Sequence, residues 1–308
     1  MTTKTLKHML TLEELTPTDL DELIQLALDV KHDPSAYGKT LTGKKVALLF
    51  EKASTRTRMS FEVGVVELGG YPLFLSGNDL QIGRGEPITD TIRVMSRYVD
   101  ALMIRTYAHG TVETLAEVGS IPIINGLTDT HHPCQVLADL LTIEETFGSR
   151  QGKVLTYIGD GNNMAHSLML GGALSGMHVR IASPDGYTVD ETIYNKSVAL
   201  AEATGGSVTL YTDPAIATVG ADIVYTDVFA SMGQESEAEE RLHRFATFQV
   251  DGALMAKANE TAIFLHCLPA HRGEEVAADV IDGPQSLVFD QAENRLHAQK
   301  ALMITLLA

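Results

Sequence analysis

Short apolar segments alternate with amphipathic helical segments along the whole chain. Runs typical of strands occupy residues 44–50, 71–75, 101–106, 121–125, 153–160, 178–183, 207–211, 221–227 and 261–267. Helical patterns separate or follow them, at about 56–69, 89–99, 111–118, 134–147, 163–175, 190–204, 213–219, 236–246, 273–281 and 291–307. Because strands that alternate with amphipathic helices are typical of βαβ units, the pattern predicts an α/β fold with parallel sheets.

The number of strands predicts two domains. Nine or ten strands are too many for one small core, and a polar, glycine-containing stretch at 147–153 separates two strand series. We predict a first domain over 1–147 and a second over 148–290, with the final helix, 291–308, packing back on the first. Two domains of this kind, each a parallel sheet flanked by helices, would place an active-site cleft between the carboxyl ends of both sets of strands.

Composition narrows the class of function. The 308 residues include 23 Lys or Arg and 40 Asp or Glu, a net charge of −17, which argues against a nucleic-acid partner because phosphate backbones attract basic surfaces. Two cysteines, Cys134 and Cys267, cannot form a disulfide framework or a four-cysteine zinc site. The sequence contains no run of about 18 apolar residues and no secretory signal, so we expect a soluble, cytoplasmic enzyme without a membrane partner.

An anion site is predicted where the first strand leads into a helix. Ser54-Thr55-Arg56-Thr57-Arg58 follows residues 44–50, so its backbone N–H groups lie at a helix N-terminus. Hydroxyl donors and a guanidinium group at that end suit a phosphate. Ser54 or Thr55 would also serve as a simple N-cap, but a cap does not require Arg56 in the first turn, where the helix dipole disfavours cations. For Arg58, a structural ion pair is the alternative.

Two further candidates in the first half also follow strands. Arg105 ends the strand 101–106, where it either shares the anion or is an ordinary surface arginine. His132-Pro133-Cys134-Gln135 opens another helix, with Pro133 at the first helical position. His132 is a hydrogen-bond donor for a carbonyl oxygen unless it is structural. No metal site is expected at His131 and His132, because neighbouring side chains point apart.

The second half supplies groups suited to an amino acid. Residues 159–164 resemble the start of a dinucleotide loop, but Met164 replaces the third glycine and no acidic residue ends the next strand, so a nicotinamide cofactor is disfavoured. Asn163 offers amide groups for an α-amino acid, and Asp227, at the end of 221–227, can accept an amine.

Two short segments complete the candidates. Ser231-Met232-Gly233 is either a lid loop or a plain turn. In His266-Cys267-Leu268-Pro269, the Cys267 thiol is a nucleophile, a core thiol or a polar group that orients a substrate.

Together these motifs resemble the aspartate/ornithine carbamoyltransferase superfamily from about residue 8 to the C-terminus. The segment 54–58 resembles its carbamoyl-phosphate motif, and 132–135 resembles its carbonyl-side motif. The segments 231–233 and 266–269 resemble the pair that marks the ornithine branch. The resemblance implies two α/β domains, a closing loop and a homotrimer as the basic unit.

The resemblance also implies a role for each candidate residue. Carbamoyl phosphate would be bound by Ser54, Thr55, Arg56, Thr57, Arg105, His132 and Gln135, with Cys267, Leu268 and Arg295 near the carbamoyl group and Gln81 contributed by a neighbouring subunit. Ornithine would be bound by Asn163, Asp227, Ser231 and Met232. The catalytic groups would be Arg56, Arg105, His132, Asp227 and Cys267, with no metal or organic cofactor.

The implied reaction transfers a carbamoyl group from carbamoyl phosphate to the δ-amine of L-ornithine, giving L-citrulline and phosphate. Transfer to another amine, such as putrescine or acetylornithine, is the nearest alternative. A dehydrogenase that uses residues 159–164 and a non-catalytic binder of amino acids or phosphate are alternatives from other classes.

Overall fold

The computed structural model describes residues 6–81, 85–230 and 237–308. The chain divides into two compact units: Met1–Leu141 together with Glu293–Ala308, and Thr142–Ala292. We call them unit 1 and unit 2.

Unit 1 contains a parallel four-stranded sheet in its described residues. Its strands are β1 (Lys45–Phe50), β2 (Tyr71–Ser76), β3 (Ala101–Arg105) and β4 (Ile123–Leu127), in the order β2-β1-β3-β4. Its helices are α1 (Pro17–His32), α2 (Pro34–Tyr37), α3 (Thr55–Glu67), α4 (Ile88–Met95), α5 (His109–Val118) and the first part of α6 (Pro133–Phe147). Leu49, Leu102 and Ile104 of the sheet pack with Ile92 and Leu115 of the helices, so the apolar strand residues form the core as the alternating pattern predicts.

Unit 2 contains a parallel five-stranded sheet in its described residues. Its strands are β5 (Val154–Ile158), β6 (His178–Ala182), β7 (Ser207–Tyr211), β8 (Ile223–Thr226) and β9 (Ile263–His266), in the order β7-β6-β5-β8-β9. Its helices are α7 (Asn163–Leu174), α8 (Glu191–Thr204), α9 (Pro214–Ala217), α10 (Ala238–Arg244), α11 (Gly252–Met255) and α12 (Ala278–Ile281). The long helix α13 (Val288–Leu307) runs from unit 2 into unit 1.

The predicted α/β class, with two parallel sheets flanked by helices, is confirmed. Several elements differ in extent. The strand predicted at 121–125 runs from Ile123 to Leu127, and the helix predicted at 273–281 is reduced to α12. The predicted cleft and the boundary at 147–153 stay predictions.

The largest element that the sequence pattern missed is α1. Thr16 caps it through a reciprocal pair of hydrogen bonds: its Oγ accepts from Asp19 N at 3.1 Å, and the Asp19 carboxylate accepts from Thr16 N at 2.9 Å. Its buried side chains are Leu20, Leu23, Ile24, Ala27 and Val30. This spacing is that of one helical face, so the cap and the apolar face were both readable from the sequence.

Each sheet brings two carboxyl strand ends together where the strand order reverses. In unit 1, Phe50 at the end of β1 lies opposite Arg105 at the end of β3. In unit 2, Ile158 at the end of β5 lies opposite Thr226 at the end of β8. Ligands of open α/β sheets bind at such positions, and the candidate residues follow these strands.

Among the helices that the structure describes, none combines the length and the apolar character that a membrane span requires.

Candidate functional site

The N-terminus of α3 is the first part of the candidate site. Ser54 caps the helix, because its Oγ accepts from Thr57 N at 3.1 Å. The capping alternative is therefore correct for Ser54, yet a hydroxyl oxygen that accepts one bond can still donate its own hydrogen. Thr55 is exposed, Arg56 is half-buried and Thr57 is buried. The helix therefore presents backbone N–H groups and a guanidinium group at one end, as an anion site requires.

Arg295 lies beneath this helix end and joins it to α6. Its side chain is buried, and its Nη1 donates to Gln135 Oε1 at 2.8 Å. Its Nη2 donates to Thr57 Oγ1 at 3.1 Å, and its Nε donates to Gln299 Oε1 at 2.9 Å. The structure thus brings together Thr57, Gln135 and Arg295, three residues that are distant in sequence. Arg58 does not share in this cluster: it pairs with Glu62 at 3.1 Å.

His132 is held neutral in this environment. It is buried at the start of α6, and desolvation lowers its pKa well below 6.5. The positive charges of Arg295, Arg105 and Arg56 lower the pKa of His132 further. A neutral imidazole keeps one N–H donor, which suits a carbonyl oxygen, and three guanidinium groups act on the same place. This part of unit 1 is therefore strongly electropositive despite the acidic chain.

Sequence reasoning missed Lys52 in the loop after β1. Only 4% of its side chain is exposed, and its Nζ pairs with Asp129 in the loop after β4. The same Nζ lies 4.4 Å from the ring centroid of Tyr107, in the loop after β3. Lys52 therefore links the loops that follow three strands of unit 1. A loop lysine is usually a surface residue, so nothing in the sequence distinguished this one.

Gln135 has a second partner that the sequence did not suggest. Its Nε2 donates to Asp139 Oδ1 at 2.8 Å, one turn along α6, and the Asp139 side chain is buried. With Nε2 directed to a carboxylate and Oε1 to Arg295, the amide has a single orientation. Gln81 is exposed near the end of a described range. Its contribution to another subunit stays a prediction.

The second part of the candidate site lies in unit 2, around Asp227. This buried carboxylate accepts from Cys267 Sγ at 3.0 Å and from Val228 N at 2.9 Å through Oδ1. It accepts from Asn162 Nδ2 at 3.1 Å through Oδ2. The structure thus brings the candidate residues Asp227 and Cys267 into contact. Asn162 is a residue that sequence reasoning missed, while the predicted Asn163 begins α7 and is half-buried.

The turn after β9 fixes the position of Cys267. His266 is buried, its Nδ1 accepts from Leu268 N at 2.8 Å, and its Nε2 lies 3.2 Å from Glu275 Oε1. Nδ1 acts as the acceptor, so we assign the proton to Nε2, which donates to Glu275. The imidazole is therefore occupied, and the thiol donates to a carboxylate. Of the three roles left open for Cys267, a polar group that orients a substrate fits this arrangement best.

Local contacts account for Gly161 and Asp160 in the loop after β5. A Cβ on Gly161 would clash with the backbone of Thr188, so the close approach of that backbone requires this glycine. Asp160 pairs with Arg241 Nη1 at 2.8 Å, and the same nitrogen donates to Phe229 O at 3.1 Å. Ser231 and Met232 of the predicted loop lie outside the described residues.

Both clusters lie at the carboxyl ends of parallel strands, which defines a class of α/β enzyme with one polar cluster in each unit. A family model described as aspartate/ornithine carbamoyltransferase, carbamoyl-P binding domain, matches residues 7–145. A second, described as the Asp/Orn binding domain of the same family, matches residues 151–306. The chain therefore belongs to the aspartate/ornithine carbamoyltransferase family.

Curated relatives and solved structures agree with this assignment. The chain is 56% identical over 303 residues to an ornithine carbamoyltransferase of Anoxybacillus flavithermus, covering 98% of this chain and 96% of the relative. It is 56% identical over 310 residues to that of Symbiobacterium thermophilum, covering 100% of both. The ornithine carbamoyltransferase structure from Pyrococcus furiosus superposes with a TM-score of 0.96 at 48% identity, covering 100% of this chain and 99% of that one.

Proposed function

We propose that this protein transfers the carbamoyl group of carbamoyl phosphate to the δ-amine of L-ornithine, giving L-citrulline and phosphate. The observation that carries the proposal is the electropositive cluster at the α3 N-terminus, where Arg56, Arg105 and Arg295 all act on a buried, neutral His132. Full-length relatives at 52–56% identity carry the name ornithine carbamoyltransferase, which supports the same reaction.

The electropositive cluster would bind carbamoyl phosphate. The phosphate would accept from the backbone and hydroxyl groups at 54–57 and from the guanidinium groups, and Gln135 would hold the carbamoyl amide. The residues proposed for this substrate are Ser54, Thr55, Arg56, Thr57, Gln81, Arg105, His132, Gln135, Cys267, Leu268 and Arg295. Charges more than about 8–10 Å away are screened, so the local cluster decides the affinity for an anion despite the net charge of −17.

The chemistry follows from where charge develops. The lone pair of the δ-amine attacks the carbonyl carbon, and His132, Arg56 and Arg105 stabilise the oxyanion of the tetrahedral intermediate. The bond between that carbon and the phosphate oxygen then breaks, and the departing phosphate takes the proton from the amine. A free δ-amine would have a pKa of about 10.4, so its deprotonation at pH 7.4 costs roughly 4 kcal/mol. Holding both substrates in place can offset roughly 7–11 kcal/mol of the barrier. The proposed reaction needs no metal or organic cofactor.

Ornithine would be recognised through its amino-acid head. Asp227 and Asn163, with Ser231 and Met232, would bind the α-amino and α-carboxylate groups, and Cys267 would orient the acceptor. Putrescine presents the same reactive amine without the carboxylate. A site built for hydrogen bonds rejects analogues that lack them by about 10⁴ or more.

Citrulline formation from carbamoyl phosphate, measured with ornithine, putrescine, acetylornithine and aspartate as acceptors, tests the proposal. We expect a preference for ornithine over putrescine of at least about 10⁴ in kcat/KM. Comparable values for the two amines would refute the proposed acceptor. Replacing Arg56 by alanine should lower turnover at least about 100-fold, the effect of losing one oxyanion donor. Activity within threefold of the parent would refute that role.

We also propose a homotrimer in which Gln81 completes a neighbouring subunit's site. An exposed apolar surface on unit 1 supports an interface: Met59, Val63 and Val66 share the outer face of α3, and Tyr71 lies on the edge strand β2.

In a closed ring each subunit contributes a residue to the site of one neighbour and receives a residue from the other neighbour. Co-refolding inactive Arg56→Ala and Gln81→Ala chains should therefore restore part of the activity. No recovery in mixed trimers, identified by native mass measurement, would contradict shared sites.

We propose a cytoplasmic role in arginine biosynthesis. Both cysteines, Cys134 and Cys267, are in the thiol form and not in a disulfide, which suits a reducing compartment. Growth of an arginine auxotroph that lacks this activity, after the gene is supplied, would test the metabolic role, and failure of an expressed, active protein to restore growth would contradict it.

A further inference from the structure

The Asp227 carboxylate is hydrogen-bonded by donors on three different segments of unit 2. Cys267 Sγ and Val228 N donate to Oδ1 at 3.0 and 2.9 Å, and Asn162 Nδ2 donates to Oδ2 at 3.1 Å. A carboxylate offers about four lone-pair positions. Three donors therefore leave about one lone-pair position with which Asp227 can accept from an ammonium group of a substrate.

Asn162 cannot turn its amide without losing its other contacts. Its Oδ1 accepts from Met164 N at 2.9 Å, from Ala165 N at 3.3 Å and from the Tyr157 hydroxyl at 3.2 Å. Because all three of these partners are donors, they fix the oxygen on their side and the NH2 group towards Asp227. The same side chain thus caps α7 and orients a carboxylate at the end of β8.

We propose that Asn162, held by the Tyr157 hydroxyl, is the positioning residue for Asp227 and thereby sets the affinity for the amino-acid acceptor. The inference rests on the proposed function, in which Asp227 binds the α-amino group of that acceptor. Asn162 itself does not touch the substrate in this scheme; it acts by keeping Oδ2 of Asp227 occupied and the remaining lone pair directed.

A purely structural role for Asn162 makes a different prediction. If the residue only caps α7, then aspartate should replace it without loss, because aspartate and asparagine are equally good N-caps. The change Asn162→Asp keeps the oxygen that accepts from Met164, Ala165 and Tyr157. It removes only the donor to Asp227 and places two carboxylates side by side.

The test compares Asn162→Asp with the parent. We expect kcat/KM for ornithine to fall about ten- to hundredfold through a higher KM, the effect of losing a hydrogen bond to a charged group. The dissociation constant of carbamoyl phosphate should stay within twofold. Asn195→Asp on α8, an exposed residue, is the matched control for the added charge and should behave as the parent.

Two more variants separate positioning from folding. Tyr157→Phe keeps the buried ring and removes the hydroxyl, so kcat/KM should fall by only about threefold, since the two backbone amides still hold Asn162. Asn162→Ser keeps a capping oxygen without adding charge and should still lose at least about tenfold in kcat/KM. Values within twofold of the parent for both Asn162 variants would overturn the proposal.

A crystal structure of Asn162→Asp gives a readout that does not depend on activity. We expect the Asp227 carboxylate to turn, which would lengthen its contact with Cys267 Sγ beyond the present 3.0 Å. If the parent forms no citrulline, the proposed function fails and this distance alone decides the positioning role. An Asp227 that keeps its place in the variant would overturn the inference in either case.

Discussion

Replacing His132 by glutamine should remove a defined part of the acid sensitivity of the fold. His132 is buried, and desolvation, followed by the charges of Arg295, Arg105 and Arg56, lowers its pKa well below 6.5. In the unfolded chain the same imidazole has a pKa of about 6.5. The folded and unfolded states therefore bind different numbers of protons in mildly acidic solution.

The sign and the size follow from proton linkage. Below pH 6.5 the unfolded chain takes up a proton at His132 that the folded chain does not, so acid favours unfolding. The stabilisation is complete above pH 6.5 and is lost as the pH falls towards the lowered pKa of the folded state. The free energy of unfolding changes by about 1.36 kcal/mol per pH unit for one proton. Integration from pH 7.5 to 5.5 gives a loss of about 1.4 kcal/mol from this residue.

The measurement is the free energy of unfolding in urea at pH 7.5, 6.5 and 5.5 for the parent and for His132→Gln. Burial also lowers the pKa values of His8, His109 and His297. Those histidines remain in both proteins, so their contributions cancel in the difference. We expect the parent to lose about 1.4 kcal/mol more than the variant over this range. Equal losses would show that the folded protein protonates His132 as readily as the unfolded chain.

Three other substitutions test single contacts. Arg295→Lys should lower the affinity for carbamoyl phosphate at least about tenfold, because an ammonium group cannot reproduce the three directed hydrogen bonds of the guanidinium group. An affinity within twofold of the parent would contradict this. Lys52→Met should raise KM for carbamoyl phosphate about tenfold because it breaks the ion pair with Asp129, whereas Lys257→Met, at an exposed lysine, should leave this KM unchanged. Equal KM values for the two variants would refute the role of Lys52 in linking the loops. Arg241→Gln breaks the ion pair with Asp160, so KM for ornithine should rise about tenfold while the binding of carbamoyl phosphate stays unchanged. Equal effects on both substrates would exclude a role of this ion pair that is specific to the ornithine site.

Much of the fold was predictable because local pattern and burial coincide. The strands β1, β3, β5 and β9 are buried on both faces. Strands of a parallel sheet that is covered on both faces have nearly continuous apolar sequences, and these four runs show that pattern. The carboxyl end of a strand is equally visible, so the positions of Ser54, Arg105, Asp227 and Cys267 followed from the order of elements. Helix α1 was equally predictable, because its capping box and its apolar face are both local features of the sequence.

The partners of buried polar groups were not predictable. Arg295 contacts Thr57 and Gln135 across 238 and 160 residues of chain, and no local pattern encodes such pairs. The sequence likewise could not show that the Asn162 side chain donates to Asp227, because the two residues are 65 positions apart in the chain.

The sequence by itself determined the α/β class, the strand ends that carry the chemistry and the residue types gathered there. Tertiary structure alone decided which charges are buried together, and with them the neutral state of His132, the buried pairing of Lys52 and the hydrogen bonds that converge on Asp227. The physical reason is that strand and helix formation depend on neighbours along the chain, whereas desolvation and hydrogen-bond geometry depend on neighbours in space.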